Sequence, residues 1–254
     1  IESTALGFIA GFTGEEIRRK VDKMVITSEF IQLENGFSRI NIKLKSIDGT
    51  EINGSGPVIS PEDVEKLMEK LDKLGEGDVL FLAGSIPTSM PDDMYQKIMA
   101  KLDGKGVMIV VDATRDLLMN VLAYHPFLIK PNNHELGEIF DVELLTRESV
   151  IPYAKKLQEK GARNVLVSMA GDGAVLVTED GQEFRAEAPK GKVVNSVGAG
   201  DSMVAGFIAG YLSTKEYIEA FKMGVCTGSA SAFSEELATK AEVEELLKQN
   251  QRIF

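Results

Sequence analysis

Four consecutive residues have the types and the order that phosphoryl transfer requires: Gly198, Ala199, Gly200 and Asp201. Small residues allow successive backbone N–H groups to point at one place, and the apolar helix predicted to follow adds the positive end of its dipole. A carboxylate in the first turn of such a helix can take the proton from an attacking hydroxyl. We therefore expect the amides of residues 198–200 to hold a phosphoryl group during transfer and Asp201 to act as the general base.

The same turn also has a purely structural interpretation. Asp201 would then only complement the helix N-terminus, and the glycines would only permit a tight turn. Spacing alone leaves both interpretations open. Two common nucleotide-binding motifs are absent, because the sequence contains no Gly-x-x-x-x-Gly-Lys-Ser/Thr and Met203 interrupts the Gly-x-Gly-x-x-Gly spacing.

A second candidate segment, residues 131–135, directly follows the apolar run 127–130. If this run is a strand of an open α/β sheet, the segment lies at the carboxyl end of the strand, where such sheets bind their ligands. Glu135 can then hold Mg²⁺ through water. The structural alternative is that Asn132 or Asn133 caps a helix and Glu135 complements its dipole.

A third candidate segment runs from Ser168 to Gly173 and again follows an apolar run. Its hydroxyl and its two glycines, Gly171 and Gly173, suit the phosphates or the ribose of a nucleotide. The structural alternative is an ordinary β-turn, in which small residues are common because of their backbone conformations.

The chain offers little for nucleophilic or zinc chemistry. A single cysteine, Cys226, excludes an internal disulfide, and with only two histidines, His125 and His134, a Cys/His zinc cluster within one chain is excluded. Residues 224–228 resemble a nucleophile elbow, but they fall in a predicted helix from Glu216 to about Phe233 rather than after a strand. We expect Cys226 to be a small packing residue.

Composition narrows the class of protein. The 254 residues are 44% hydrophobic and carry a formal net charge of −11, which fits one large globular domain and disfavours a binder of nucleic acid or of anionic membranes. The first apolar stretch is too short to span a bilayer. We expect a cytoplasmic protein that captures any anionic ligand locally.

Short apolar runs alternate with amphipathic stretches from Asp78 onward, which predicts strands buried on both faces in a parallel sheet. The predicted strands are 79–82, 107–111, 127–129 and 165–167. Helix starts are predicted at Ser60-Pro61, at Pro91 and after Thr146.

Antiparallel pairing is predicted in two places. Residues 25–56 alternate apolar and polar side chains around turns at 34–36 and Asp48-Gly49, which indicates a patch with one solvated face. A second hairpin is predicted from 174–178 to 184–186. After it, Val193-Val194 is expected to be a strand that leads into the glycine turn.

Together these segments resemble the ribokinase-like, phosphofructokinase-B family of sugar kinases. The family signature matches Val197-Gly198-Ala199-Gly200-Asp201-Ser202, and both Lys130-Pro131-Asn132-x-x-Glu135 and Ser168-x-x-x-x-Gly173 occur in the family's order and spacing. The resemblance implies an α/β three-layer sandwich, in which helices flank a mostly parallel central sheet, with a small antiparallel β lid.

The resemblance also implies a role for each segment. Asp201 is the implied base and residues 198–200 the implied anion hole, while Asn132 and Glu135 organise Mg²⁺ and the phosphates. The residues implied to contact ATP are Ser168, Gly171, Gly173, Asn132 and Ser229. Ser229 lies with Cys226 and Ala232 on a helix whose small residues would adjoin the adenine. ATP and Mg²⁺ are the implied cofactors, and a need for a monovalent cation stays open.

Within the family, Asn195 and the segments 38–41 and 53–57 most resemble the branch of 1-phosphofructokinases and tagatose-6-phosphate kinases. The implied acceptor is a ketohexose phosphate, either fructose 1-phosphate or tagatose 6-phosphate. The residues implied to bind it are Arg39, Asn41 and Lys43. A guanidinium suits the dianion of its phosphate, although these positions also fit a solvated strand face.

Two other functions stay open: a non-catalytic nucleotide-binding or regulatory homologue, and a kinase of an unphosphorylated sugar or nucleoside. The family's first strand, with an aspartate for the sugar hydroxyls, and its Gly-Gly-x-x-x-Asn segment are not found here. We therefore expect that the numbering opens inside a longer polypeptide, that the parallel sheet lacks a strand, and that this stretch binds ATP better than sugar.

The resemblance divides the chain into an ATP-binding core, residues 1–24 and 57–254, and a partial lid, residues 25–56. In the family the lid covers the sugar and often pairs two subunits. It therefore implies a homodimer formed through the lid.

Overall fold

The computed structural model describes residues 1–24, 26–44, 50–250 and 254. Its helices and strands, in chain order, are β1 Thr4–Ala5, β2 Phe8–Ala10, α1 Gly11–Lys23, β3 Thr27–Ser28, β4 Ile31–Leu33, β5 Asn41–Leu44, β6 Thr50–Asn53, α2 Pro61–Leu71, β7 Val79–Ala83, α3 Met94–Leu102, β8 Met108–Asp112, α4 Arg115–Met119, β9 Leu128–Ile129, α5 Asn133–Phe140, α6 Arg147–Glu159, β10 Asn164–Ser168, β11 Ala174–Val177, β12 Glu183–Ala186, α7 Ala199–Thr214, α8 Tyr217–Phe233 and α9 Lys240–Gln249. Short 3₁₀ turns cover Leu122–Tyr124 and Ala170–Asp172.

The chain forms two compact units. The first unit consists of Ile1–Asp78 and Ser85–Val107, and the second unit consists of Val79–Gly84 and Met108–Phe254. The second unit contains all three candidate segments.

A six-stranded sheet lies in the second unit, with the strand order β12-β11-β10-β9-β8-β7. Strands β7 to β10 pair in parallel, and β11 and β12 continue the sheet as an antiparallel hairpin. The four predicted apolar runs correspond to the parallel strands, with Val107 and Phe127 lying one residue before β8 and β9, and the predicted hairpin is present. The prediction of an α/β fold with a mostly parallel sheet is therefore confirmed.

Helices on both faces of this sheet explain why its strands are continuously apolar. On one face, Leu128 and Leu166 pack with Phe207 of α7 in a buried cluster that also includes residues of α8. On β10, Val165 and Val167 point to the opposite face and are also fully buried. Helices α5 and α6 contact this strand.

The first unit holds the region predicted to be an antiparallel patch. Strands β5 and β6 do form an antiparallel hairpin, in which Asn41 lies opposite Asn53. The prediction is wrong for the preceding strands, since β4 pairs in parallel with β2, and β3 pairs in parallel with β1. Helix α1 connects these pairs, and a helical crossover returns the chain in the same direction. The turn predicted at Asp48-Gly49 lies outside the described residues.

The helices begin where the capping residues and prolines predicted, with one difference. The hydroxyl of Ser60 caps α2, and Thr146 forms a capping box at the start of α6. The helix predicted to open at Pro91 begins at Met94 instead, because the intervening residues form a turn in which the Met94 amide donates to the Pro91 carbonyl at 3.1 Å.

Candidate active site

The carboxyl ends of β8, β9 and β10 bring polar residues to one edge of the sheet. Asp112 is the last residue of β8, Lys130 follows β9 directly and Ser168 is the last residue of β10. The Ser168 amide donates to the Pro131 carbonyl at 3.1 Å, and a parallel bridge joins Asn132 to Ser168. The second and third candidate segments are therefore neighbours, as the topology of an open α/β sheet requires.

The glycine turn forms the start of α7. Gly198 precedes the helix with a φ of +81°, a left-handed conformation that favours glycine. The Ala199 amide donates to the Ser196 carbonyl at 3.2 Å, so the turn itself uses it. Within the described part of the chain, the amides of Gly198, Gly200 and Asp201 have no acceptor. The amides free to bind an anion are therefore those of Gly198, Gly200 and Asp201, whereas those of Gly198, Ala199 and Gly200 were expected.

The loop before this turn is bonded to helix α8 and to the residues after it, and it contains no strand. The strand predicted at residues 193–194 is wrong, because the amides of Val194 and Asn195 both donate to the Ala232 carbonyl of α8, at 2.9 and 3.1 Å. The Asn195 side chain then donates to the Glu235 carbonyl at 3.1 Å and accepts from the Val197 amide at 3.2 Å. The Asn195 side chain thus links the loop before α7 to the segment after α8 and also bonds within the loop, to Val197.

The predicted helix around Cys226 is confirmed as α8. Cys226 is fully buried, and burial raises the pKa of its thiol to about 12, which supports the packing interpretation over a nucleophilic one. Ser229 is half-buried on the same helix. One residue earlier, a Cβ added to Gly228 would lie 2.9 Å from the Ala199 carbonyl oxygen, so this part of α8 packs against the first turn of α7.

Two charged residues to which the sequence analysis gave no role lie beside the glycine turn. Lys130 and Asp112 form a buried ion pair with Nζ 3.3 Å from Oδ2. A Cβ added to Gly200 would lie 3.3 Å from the same Nζ, which places the ammonium next to the turn. The signal that could have found the pair is a charged residue at the carboxyl end of an apolar strand, which occurs twice in adjacent strands.

The electrostatics of Asp112 show which charges share this region. Burial raises the pKa of Asp112, the nearby ammonium of Lys130 opposes that rise, and the negative charges of Asp201 and Glu135 add to it. Asp201 itself is exposed in the first turn of α7. Asp112 therefore lies within the electrostatic influence of Lys130, Asp201 and Glu135.

Asn132 and Glu135 form a capping box at the start of α5. The Asn132 Oδ1 accepts from the Glu135 amide, and the Glu135 Oε2 accepts from the Asn132 amide, both at 2.8 Å. The structural alternative is thus present, and it uses one oxygen of each side chain. Glu135 keeps a second carboxylate oxygen that can accept from a metal-bound water.

The donors present fit Mg²⁺ bound mainly by substrate. Among the described residues, no group of three or more His, Cys, Asp or Glu side chains could hold a metal ion. Mg²⁺ is commonly bound by one or two carboxylates together with substrate phosphates and water. Glu135, with one carboxylate oxygen outside the capping box, is a donor of the kind that such a site uses.

The two glycines of the turn after β10 differ in burial and in the space around them. Gly173 is buried with a φ of +93°, and a Cβ there would lie 1.9 Å from the Ala186 carbonyl oxygen, so packing alone requires glycine. Gly171 is exposed, and its Cβ would meet no atom within 4 Å. Ser168 and Gly171 are therefore accessible to a ligand in a way that Gly173 is not.

The residues expected to bind the acceptor lie in the first unit. Arg39 and Asn41 are exposed, just before and at the start of β5. The backbone of Lys43 lies in the same strand, and its side chain lies outside what the structure describes. Both interpretations of this segment, phosphate binding and a solvated strand face, remain compatible with these positions.

Neither histidine forms a described hydrogen bond or ion pair with another candidate site residue. His134 is exposed on α5, and the Nδ1 atom of His125 lies 3.0 Å from the Gly161 carbonyl oxygen.

No described helix is long and apolar enough to cross a membrane.

Comparison with known proteins gives consistent matches. Residues 1–244 match the pfkB family of carbohydrate kinases. A 1-phosphofructokinase of Bacillus subtilis (strain 168) is 49% identical over 97% of this chain and 81% of that protein. A D-tagatose-1-phosphate kinase of Bacillus licheniformis is 35% identical over 99% of this chain and 82% of its own length.

The fold also matches solved structures. A crystal structure of phosphofructokinase-2 from Escherichia coli in complex with potassium superposes with a TM-score of 0.87 at 22% identity, over 99% of this chain and 83% of that one. This likeness confirms the ribokinase-like architecture that the sequence predicted.

Proposed function

Because this chain belongs to the pfkB family of carbohydrate kinases, we propose that it transfers the γ-phosphoryl group of ATP to the free C6 hydroxyl of fructose 1-phosphate. The observation that carries the proposed chemistry is the start of α7, where open amides adjoin an exposed carboxylate. Phosphoryl transfer needs positioning and charge stabilisation, and this arrangement supplies both. The choice of acceptor is supported by the 49% identity to a 1-phosphofructokinase.

The reaction assigns one task to each part of the turn. The Asp201 carboxylate removes the proton of the acceptor hydroxyl, whose oxygen bonds to the γ-phosphorus while the bond to the ADP oxygen breaks. The amides of Gly198 and Gly200 stabilise the negative charge of the phosphoryl group as it moves. Mg²⁺, when bound, neutralises charge on the phosphates, and Glu135 is the residue that would hold it through water.

ATP binding is proposed for the residues that flank this turn. Ser168 and Gly171 contact the phosphates or the ribose, and the side-chain Nδ2 of Asn132, which the capping box leaves unused, donates to a phosphate oxygen. Gly173 supports this turn by its conformation, and Ser229 adjoins the adenine. Activation by a monovalent cation is a further proposal, supported by the potassium complex of the Escherichia coli homologue.

Recognition of the acceptor is proposed for Arg39, Asn41 and Lys43. A chain with a net charge of −11 repels a sugar phosphate at long range, so it needs local cations to bind one. The planar guanidinium of Arg39 can bind the phosphate dianion in a bidentate manner.

A second acceptor is favoured by one specific observation. The Bacillus licheniformis relative is named for tagatose 1-phosphate, which carries its phosphate on the same carbon as fructose 1-phosphate. Tagatose 6-phosphate, the acceptor that the family resemblance implied, has its free primary hydroxyl on C1 instead. We therefore rank tagatose 1-phosphate ahead of tagatose 6-phosphate.

A coupled assay for ADP release tests the proposal. Mg·ATP is offered with fructose 1-phosphate, tagatose 1-phosphate, tagatose 6-phosphate and unphosphorylated fructose, and kcat/KM is expected to be highest for fructose 1-phosphate. Asp201→Asn keeps the shape and removes the basicity, so turnover should fall by roughly three orders of magnitude or more while calorimetric ATP affinity persists.

The control for this variant is Glu148→Gln, which removes an exposed carboxylate from the first turn of α6 and should leave turnover unchanged. Near-normal turnover of Asp201→Asn would reject the general-base role. ATP binding without transfer to any acceptor would favour the non-catalytic alternative, and preference for the unphosphorylated sugar would favour the other one.

A further inference from the structure

Arg147 joins the start of helix α6 to the turn after β10. It is the first residue of α6, and its Nη1 atom donates to the carbonyl oxygens of Asp172, at 3.1 Å, and of Ala186, at 3.4 Å. Asp172 ends the 3₁₀ turn Ala170–Asp172, and Ala186 ends β12, an edge strand of the sheet. One guanidinium nitrogen therefore holds the turn against this edge strand.

The turn that Arg147 holds contains a strained residue. Ala170 has a φ of +48°, a left-handed conformation that favours glycine. The described backbone hydrogen bonds of residues 169–173 run only among these residues, for example from the Met169 amide to the Gly173 carbonyl at 2.8 Å. A strained segment persists where its surroundings determine its conformation, and the bond from Arg147 to Asp172 supplies such a contact.

The stability of α6 does not explain an arginine at its first position. A helix N-terminus carries partial positive charge, so it favours an acidic residue such as Glu148 and disfavours a cation. The ion partner of Arg147 is Glu187, with Nη2 3.7 Å from Oε1, and because the Glu187 side chain is 67% exposed this pair contributes little. The contacts that suit a guanidinium here are those to the two carbonyl oxygens, since its donors are fixed in one plane.

Arg147 extends from a well-packed part of the fold. A capping box of Thr146 fixes the first turn of α6, and Val150, Ala154 and Leu157 of the same helix are fully buried. Helix α6 contacts both β10 and β11, the two strands that the turn connects. The guanidinium is therefore anchored to the same sheet from which the turn projects.

This turn also carries residues proposed to contact ATP. Ser168 ends β10 just before it, and Gly171 is its exposed middle residue. Since Gly171 has no side chain, any hydrogen bond from it to a nucleotide comes from its backbone. A backbone segment that is ordered before the ligand arrives binds more tightly than one that must be ordered on binding.

We propose that Arg147 is a positioning residue for ATP: its guanidinium fixes the turn Ala170–Asp172 so that Ser168 and Gly171 meet the nucleotide. This inference rests on the proposed kinase function. Arg147 acts through the Asp172 and Ala186 carbonyls and takes no part in the transfer step. Its loss should therefore weaken the binding of ATP and leave the chemistry of the bound complex unchanged.

Arg147→Met tests this role, because methionine keeps apolar volume and removes every donor. The KM and the calorimetric Kd of ATP should both rise about tenfold, the size of effect expected for one charge-assisted hydrogen bond. The kcat at saturating ATP and the KM of the sugar phosphate should stay unchanged. Arg185→Met is the matched control, because it removes an exposed arginine of β12 from its ion pair with Glu183.

Two further variants separate hydrogen-bond geometry from charge. Arg147→Lys keeps the charge and loses the planar donors, so it should recover only part of the ATP affinity. Glu187→Gln removes the ion pair and leaves both carbonyl contacts, so it should bind ATP as the wild type does. Full recovery in Arg147→Lys would assign the effect to charge and overturn the positioning role.

A double variant tests whether Arg147 acts through the turn. If it does, Gly171→Ala should raise the Kd of ATP by a smaller factor in an Arg147→Met background than in the wild type. Equal factors would place the effect of Arg147 elsewhere. If Arg147→Met does not fold, Arg147→Lys provides the background for the same comparison.

A purely structural arginine would lower the melting temperature of Arg147→Met and leave the Kd of ATP unchanged at a temperature where the variant is folded, which would overturn the inference. Calorimetry needs no acceptor. A wild-type chain that bound ATP but transferred phosphate to no sugar would end the proposed function, while the Kd ratio would still decide the role of Arg147. A wild-type chain that bound no ATP would overturn both.

Discussion

The carbonyl oxygen of Ala199 lies so close to Gly228 that a Cβ added to Gly228 would be 2.9 Å from it. Helix α8 thus contacts α7 at the turn proposed to hold the phosphoryl group. At the other end of the same helix pair, a Cβ on Gly210 would lie 2.8 Å from the Ala220 Cα. The two positions are equally crowded, and one of them is next to the candidate site.

Gly228→Ala should therefore lower both stability and turnover. The added methyl forces α8 away from Ala199, which we expect to cost about 1–3 kcal/mol of unfolding free energy and to misplace the open amides. Gly210→Ala is the matched control, with a similar loss of stability and an unchanged kcat. Equal kcat values for both variants at a temperature where both are folded would show that the contact at Gly228 is not needed for catalysis.

Replacement by alanine should destabilise the protein at Gly173 and leave its stability nearly unchanged at Gly171. Gly173→Ala combines an unfavourable φ with a clash against the Ala186 carbonyl, so the unfolding free energy should fall by about 3 kcal/mol or more. Gly171→Ala places its methyl in open space, so stability should stay within about 0.5 kcal/mol.

If the backbone near Gly171 approaches ATP closely, Gly171→Ala should raise the KM for ATP at constant stability. Chemical denaturation and initial-rate kinetics measure the two effects separately. An unchanged KM would remove Gly171 from the proposed ATP contacts.

Arg39→Ala should act on the acceptor alone. Loss of a bidentate contact to the phosphate should raise the KM of fructose 1-phosphate more than about tenfold and leave the KM of ATP unchanged. Arg39→Lys should recover only part of the loss, because an ammonium cannot bind in a bidentate manner. Arg19→Ala, which removes an exposed arginine of the same unit, is the control. An unaffected KM in Arg39→Ala would favour an unphosphorylated acceptor.

Stability should decrease in acid through Glu179. Arg163 holds the pKa of Glu179 below its usual value of 4.5, and the Tyr217 hydroxyl, which donates at 2.6 Å, lowers it further against the effect of burial. A lowered folded-state pKa means that this stabilisation is fully present above the unfolded value and is lost as the pH falls through the lowered one.

The measurement is the unfolding free energy of the wild type and of Glu179→Gln between neutral pH and pH values below 4.5. The difference between them should shrink on acidification. In an Arg163→Leu background most of this pH dependence should disappear, and its persistence would assign the effect to another group.

The sequence correctly predicted the structural features that depend on nearby residues, namely helix caps and buried strands. Ser60 and Thr146 cap helices where they were expected to, and the buried strands follow from continuous apolar runs. Asn132 and Glu135 form the capping box that had been considered as their structural alternative. At such positions the neighbours that decide the structure are three or four residues away, so the pattern suffices.

Predictions that depended on distant partners were less accurate. Strand β4 looked like part of an antiparallel patch, but the partner available to it is β2, a strand on the other side of α1. Residues 193–194 are apolar enough for a strand, yet the amides of Val194 and Asn195 bond to Ala232 of α8, almost forty residues further on. Lys130 and Asp112 meet only because β8 and β9 are adjacent. Apolar periodicity carries no information about such pairings.

The division of the chain into two units has a consequence for how its specificity can change. The residues proposed to act on ATP and on the migrating group all belong to the second unit, whereas those proposed for the acceptor lie at or beside β5 in the first. If these proposals hold, substitutions in the β5–β6 hairpin should change which sugar phosphate is accepted and leave the residues that act on ATP untouched, so that a new acceptor specificity could evolve by changes in one unit alone.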